Sequence, residues 1–116
     1  LTAIIAQRLV RKICEVCKVP YKPSIPILKE VGLPTTIKKL YRGKGCDHCY
    51  HTGYKGRTGI FEILEITPQI RKMIVDDATP ENIKQVVKLK TMAEHCRDKI
   101  KEGIVTPEEF LRVVRL

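Results

Sequence analysis

The chain has 116 residues, 43% of them hydrophobic and 30% charged. That is the size and balance of about one globular domain, and it argues against a disordered chain as the leading reading. No apolar run is long enough to span a bilayer, and Arg8, Arg11 and Lys12 stand where a cleavable export signal would be apolar, so a soluble, cytoplasmic protein is expected. The net charge of +9 is lopsided: residues 1–59 hold twelve Lys/Arg against Glu15, Glu30 and Asp47, and the remainder balances at ten of each sign.

In chain order, residues 2–13 read as a helix, with Ile5, Leu9 and Ile13 on one stripe and Arg8, Arg11 and Lys12 beside it. Gln7, Arg8 and Arg11 then lie about one turn apart, either as a solvated basic face or as contacts to a neighbouring domain or subunit. The chain opens without methionine inside that helix, so it is expected to be a piece of a longer protein. The stripe delivers Cys14, and "CEVC" sets Cys14 and Cys17 at a C-x-x-C spacing. "CDHC" repeats the spacing with Cys46 and Cys49, and 28 residues separate the pairs.

Each C-x-x-C folds into a knuckle that offers two thiolates to one ion, and two knuckles close a tetrahedral shell. Four sulfurs leave no position for a catalytic water, so the site is structural. Zinc is favoured over another thiophilic ion such as iron, and two disulfides are the weaker alternative in a reducing compartment. Four thiolates around one divalent ion leave net negative charge, which gives the basic first half a reason besides nucleic acid. His48 and His51 are not needed as ligands and are expected to face solvent or to support the thiolates.

Between the knuckles, residues 18–36 contain four prolines and read as a loop with one short turn of helix from about Ile25 to Val31, stopped by Gly32. "KLYRG" leads into the second knuckle as a strand. Neither "RGKGC" nor "GYKGRTG" matches G-x-x-x-x-G-K-[ST], so no phosphate cradle is expected. The glycines from Gly43 to Gly59 are expected to supply backbone conformations closed to other residues. "TGIFEILEI" is β-rich, with its Ile60/Leu64/Ile66 parity broken by Glu62. Arg57 and Glu62 flank the strand entry and are candidates to pair with each other or across an interface.

After residue 66 everything reads as helical. Thr67-Pro68, Thr79-Pro80 and Thr106-Pro107 each place an N-cap threonine before a first-turn proline, and Glu109 is the expected capping-box partner of Thr106. Core stripes are expected at Ile70/Met73/Ile74, Ile83/Val86/Val87, Met92/Cys96/Ile100 and Phe110/Leu111/Val114, with Gly103 ending the third of four helices. Cys96 is then a buried free thiol, and His95 has no evident role. The fold class expected is α+β: a zinc-binding loop-and-strand half with its N-terminal helix over residues 1–66, and a mainly helical half over 67–116.

"AQRLVRKICEVC", "YRGKGCDHCYHTGYKGRTGIFEIL", "TPQIRKMI" and "EGIVTPEEFLRVV" occur in this order and cover nearly the whole chain. Together they resemble the C-terminal region of the secretion ATPases of type II secretion and type IV pilus assembly, the GspE/PilB family. The resemblance implies a hexameric cytoplasmic parent that hydrolyses ATP with Mg²⁺. It also implies that the parent works at the inner-membrane platform, to which it is held peripherally through the secretion or pilus machinery. The nucleotide motifs lie upstream, so this stretch is expected to have no enzymatic activity of its own. Cys14, Cys17, Cys46 and Cys49 carry over as the zinc ligands, and Ile70, Arg71 and Ile74 match a helix linked to coupling in related retraction ATPases. The expected contacts are the rest of the same ATPase and neighbouring subunits, with no specific nucleic acid and no membrane insertion. The competing reading is a stand-alone zinc ribbon that binds nucleic acid.

Overall fold

A computed structural model describes residues 2–65, 68–76 and 89–114. The first element is a strand, β1 (Thr2–Ile13), which runs antiparallel to β4 (Tyr54–Glu65), from Thr2 opposite Glu65 to Ile13 opposite Tyr54. This corrects the helix expected over residues 2–13. Apolar residues four apart fit a strand of even spacing as well as a helix, and the segment is rich in β-branched Thr2, Ile4, Ile5, Val10 and Ile13, which suit a pleated surface. What decides is a full-length partner about fifty residues away, which a local window does not contain. Leu9, placed in the core by the helical reading, is 49% exposed, whereas Val10 is fully buried.

β2 (Lys18–Tyr21) and β3 (Leu40–Gly43) form a second antiparallel pair, with Lys18 opposite Gly43 and Tyr21 opposite Leu40. The strand expected at "KLYRG" and the helical turn expected near Ile25 are both present. α1 (Ile25–Val31) begins at Ser24, whose Oγ accepts a hydrogen bond from the Ile27 N–H, and stops at Gly32 in the left-handed region (φ 77°).

α2 spans Pro68–Val75. The expected caps at Thr67 and Thr79 and the stripe Ile83/Val86/Val87 lie outside the described residues, as do the side chains of Ile70 and Ile74. The purely helical reading of the second half is corrected at β5 (Leu89–Lys90), which pairs with Ile63 and Leu64 and makes β4 the centre of a three-stranded sheet. α3 (Met92–Lys101) is capped by Thr91, and α4 (Pro107–Val113) by Thr106. Met92, Cys96 and Ile100 are buried together, as their spacing predicts.

One apolar cluster joins these parts. Val10 and Ile60 from the sheet meet Leu28, Val31, Leu33 and Leu40 from the inter-knuckle segment, and α3, Val105 and Phe110 close over them. The α+β class is therefore as expected.

A candidate metal centre of four cysteines

Two strand ends and one hairpin bring the sulfurs together. β1 ends at Ile13, whose N–H donates to the Ile104 carbonyl at 2.9 Å, and the next N–H, of Cys14, donates to the Gly53 carbonyl at 2.9 Å. The β2–β3 pair then zips shut directly behind both knuckles, finishing with the Lys44 N–H on the Cys17 carbonyl at 3.0 Å. The second knuckle is a single 3₁₀ turn, Asp47–Cys49, that leaves through Tyr50 and His51 at positive φ.

The Sγ atoms of Cys14, Cys17, Cys46 and Cys49 lie within 4.8 Å of one another. Cys14 to Cys46 and Cys17 to Cys49 are each 3.8 Å, and Cys46 to Cys49 is 3.7 Å. Metal–sulfur bonds of about 2.3 Å at tetrahedral angles require edges of about 3.8 Å, so the thiols present fit such an ion. Backbone N–H groups point at the sulfurs: Gly45 at Cys17 (3.3 Å), and Cys46 and Gly53 at Cys49 (3.3 and 3.2 Å). These donors favour thiolate over thiol. Burial alone would raise the Cys49 pKa, yet the two N–H donors and the neighbouring thiols bring it down to about 6. Cys17 is pushed up to about 11, chiefly by burial and then by the thiols around it, against one N–H from Gly45.

Gly43 and Gly53 face each other behind the cluster. A Cβ on Gly43 would stand 2.1 Å from the Gly53 carbonyl oxygen, and Gly53 itself has φ of 81°. Gly53 also binds Cys14 through its carbonyl and Cys49 through its N–H, so this contact sets the spacing between the two knuckles. The Gly43 requirement is thus close approach rather than backbone conformation, and the same holds at Gly59, where a Cβ would meet the Phe61 ring at 2.9 Å. Gly43→Ala is expected to destabilise the centre by about 1–3 kcal/mol through forced separation of the two backbones. Release of metal to a chelator should then be roughly tenfold faster or more; an unchanged release rate would show that the knuckles do not rely on this contact.

The supporting residues are only partly those expected. His48 is exposed, and His51 is exposed with its Nε2 3.0 Å from Asp47 Oδ1, so neither reaches the sulfurs. His95 does have a partner: its Nδ1 accepts the Phe61 N–H at 3.0 Å, extending the edge of β4 beyond β5. Burial, with Lys99 and Lys90 nearby, lowers its pKa. Cys96 is fully buried in the core, and desolvation pushes its thiol up to about 11.

The candidate interface residues separate. On a strand, Gln7 and Arg11 share one face of β1 and Arg8 takes the other. Arg8 donates to the Val113 carbonyl, and Arg11 binds Glu109 through both its guanidinium (2.7 and 2.9 Å) and its backbone N–H (2.8 Å). Arg57 and Glu62 stand on opposite faces of β4, so they do not pair. Glu62 Oε1 accepts the Met92 N–H at 3.4 Å, and the Arg57 side chain is exposed with no hydrogen bond or ion pair among the described residues. Arg71 is exposed on α2.

Glu109 departs from the expected capping box. Thr106 Oγ1 does accept the Glu109 N–H at 3.2 Å, but the carboxylate turns away to Arg11 and Arg112. Tyr54 completes the junction: its hydroxyl is 2.8 Å from Thr106 Oγ1, and the Arg11 guanidinium lies 4.2 Å from its ring centre. Sequence reasoning missed both roles. The available signal was an acid one turn after a threonine cap in a segment with unpaired arginines, which does not single out its partner.

Comparison with known proteins places this geometry in context. Residues 1–112 match the family described as type II/IV secretion system protein. The chain is similar to a type IV pilus assembly ATPase, PilB, of Thermus thermophilus, with 40% identity over 96% of this chain and 13% of that protein. It is similar to the type II secretion system protein E of Pseudomonas aeruginosa, with 34% identity over 97% of this chain and 23% of that protein. A protein transport protein HofB homolog of Escherichia coli is 38% identical over 98% of this chain and 25% of its own length. The chain therefore spans a quarter or less of these relatives.

Proposed function

The chain belongs to the type II/IV secretion system protein family, and on that premise we propose that it is the zinc-stapled C-terminal accessory and interface domain of a hexameric ATPase. That ATPase powers type II protein secretion or type IV pilus extension from the cytoplasmic side of the inner membrane. The observation that carries the reading is the ordered likeness of almost the entire chain to relatives named as ATPases of both systems, together with a four-sulfur cluster of metal-binding dimensions.

In this role the metal does no chemistry on substrate. Zn²⁺ held by Cys14, Cys17, Cys46 and Cys49 supplies a crosslink between two distant knuckles, and ATP and Mg²⁺ belong to the parent. Gln7, Arg57, Arg71, Ile70 and Ile74 remain interface or coupling candidates. Arg8, Arg11 and Glu62 already serve contacts within the domain, so any intersubunit role for them is secondary. The full-length parent tests the reading. Cys46→Ser should remove its zinc and sharply reduce secretion or pilus assembly, with hexamer formation as a second readout. Full function in a demonstrably zinc-free parent would overturn the accessory role of the staple.

The isolated chain should neither hydrolyse ATP nor bind it tightly. No sequence in it provides a phosphate cradle followed by the lysine and Ser/Thr that position phosphates and Mg²⁺. Phosphate release by highly purified chain is the measurement. Magnesium-dependent turnover that disappears on mutating a residue of the chain would refute the assignment of chemistry to the rest of the parent.

A further inference from the structure

The segment between the knuckles carries more charge than a metal staple requires. From Lys18 to Lys44 there are seven cations and a single acid, Glu30. Several of the cations are committed to rings: Arg42 lies 4.9 Å from the Tyr21 ring centre, and Lys18 and Lys39 lie 5.0 and 5.5 Å from that of Tyr41. Lys22 and Lys38 are not. Both are exposed and have no ion pair or ring contact among the described residues.

These two lysines line a groove of about 480 Å³ whose other walls include Pro23, Ile25 and Ile37. The apolar lining is accessible: Ile25, the first residue of α1, is 55% exposed. It is also held rigidly. Leu28 and Val31 anchor α1 in the main core, Ile37 packs against that core, and the Ile37 N–H closes a turn on the Pro34 carbonyl at 3.2 Å. Pro23 fixes φ within the wall, and Pro26 and Pro34 fix it immediately beside the lining residues Ile25 and Thr35. A preformed groove loses little entropy on filling.

We propose that this groove docks a short acidic segment of a partner protein, seating one or two apolar side chains against Ile25 and Ile37 while neighbouring carboxylates meet Lys22 and Lys38. Charge complementarity selects the sign of the partner, and the concave apolar lining selects its class. A membrane surface takes up protruding apolar side chains rather than filling a recess, and the phosphates of a nucleic acid would engage the lysines but leave the apolar lining empty. The inference does not depend on the parent being a secretion ATPase, because it uses only the surface of this chain.

A random peptide library displayed on phage, panned against the zinc-loaded chain, tests it. Enriched peptides should combine Asp or Glu with Leu, Ile or Phe a few residues apart. Binding of the best peptide, followed by fluorescence anisotropy, should weaken roughly tenfold or more with Ile25→Ser and with Lys22→Glu combined with Lys38→Glu, and should fall with salt. Lys55→Glu, on β4 and outside the groove, should leave it unchanged, with zinc content and circular dichroism confirming that each variant folds. A library that yields no binders sensitive to the Ile25 and Lys22/Lys38 changes would overturn the proposal. So would binding to phosphatidylglycerol vesicles or duplex DNA that is abolished by those same changes while acidic peptides fail to compete. A failure here leaves zinc content and the function of the Cys46→Ser parent untouched, so the two readings fall separately.

Discussion

Replacing Cys14, Cys17, Cys46 or Cys49 with serine is expected to abolish stoichiometric zinc and release the segment from residue 14 to residue 49, whereas Cys96→Ser should leave metal content unchanged. The reason is the imbalance within that segment. Its buried apolar anchors are few, Leu28, Val31, Leu33 and Leu40, and ordering the backbone opposes them by roughly 1–2 kcal/mol per residue. A structural zinc site contributes on the order of 10 kcal/mol, more than any other single interaction available here. The β1–β4 ladder and the helices packed on it do not pass through the sulfurs, so they should keep their protection. Cys96 sits among Val10, Ile60 and Ile100, remote in role from the cluster, and its serine variant tests packing alone. Elemental analysis gives the metal content, and hydrogen exchange locates the loosening. Metal-free wild type with residues 18–45 already protected from exchange would refute the staple.

The four-cysteine cluster is legible in the sequence because its chemistry is local twice over. Each C-x-x-C is a complete two-ligand unit, and only the closure of the two units is long-range. Short features with their own end signals were legible for the same reason: Gly32 stopping α1, Thr106-Pro107 opening α4, and the spacing of Met92, Cys96 and Ile100. What escaped was decided by partners distant in sequence. Ile5, Leu9 and Ile13 satisfy a helical stripe, yet β4 supplies a ladder along the whole of residues 2–13, and a helix there would have left β4 unpaired on that side. The same strand separates Gln7 from Arg8, and a helix-based interface would have joined them. The Thr106 three positions earlier marks Glu109 as a capping residue in the sequence, but its carboxylate answers to Arg11, 98 residues upstream.

Glu109→Gln is expected to destabilise the domain by about 3 kcal/mol, second only to loss of the metal. The side chain is 1% exposed and receives bonds from both guanidinium groups and from the Arg11 backbone N–H, so it joins the outer edge of β1 to α4. Bonds to a charged group are worth about 1.5–3 kcal/mol, and removing one partner of a buried pair costs about 3–5. The loss should fall low in that range, because Arg11 and Arg112 are 44% and 53% exposed and can return to water. The dependence on pH has a definite sign. Burial would raise this carboxyl, but bonds from Arg112 and Arg11 lower it from 4.5 to about 2. A lowered carboxyl stabilises the folded state fully above its unfolded value and loses that contribution as pH falls from about 4.5 through about 2. Wild type and Glu109→Gln should therefore differ most above pH of about 5 and converge in acid. Any metal held by the four thiols would leave both proteins alike as those thiols reprotonate, so the difference between their unfolding curves isolates Glu109. Curves separated by the same free energy at every pH would mean that the carboxylate charge contributes nothing to holding α4 against β1.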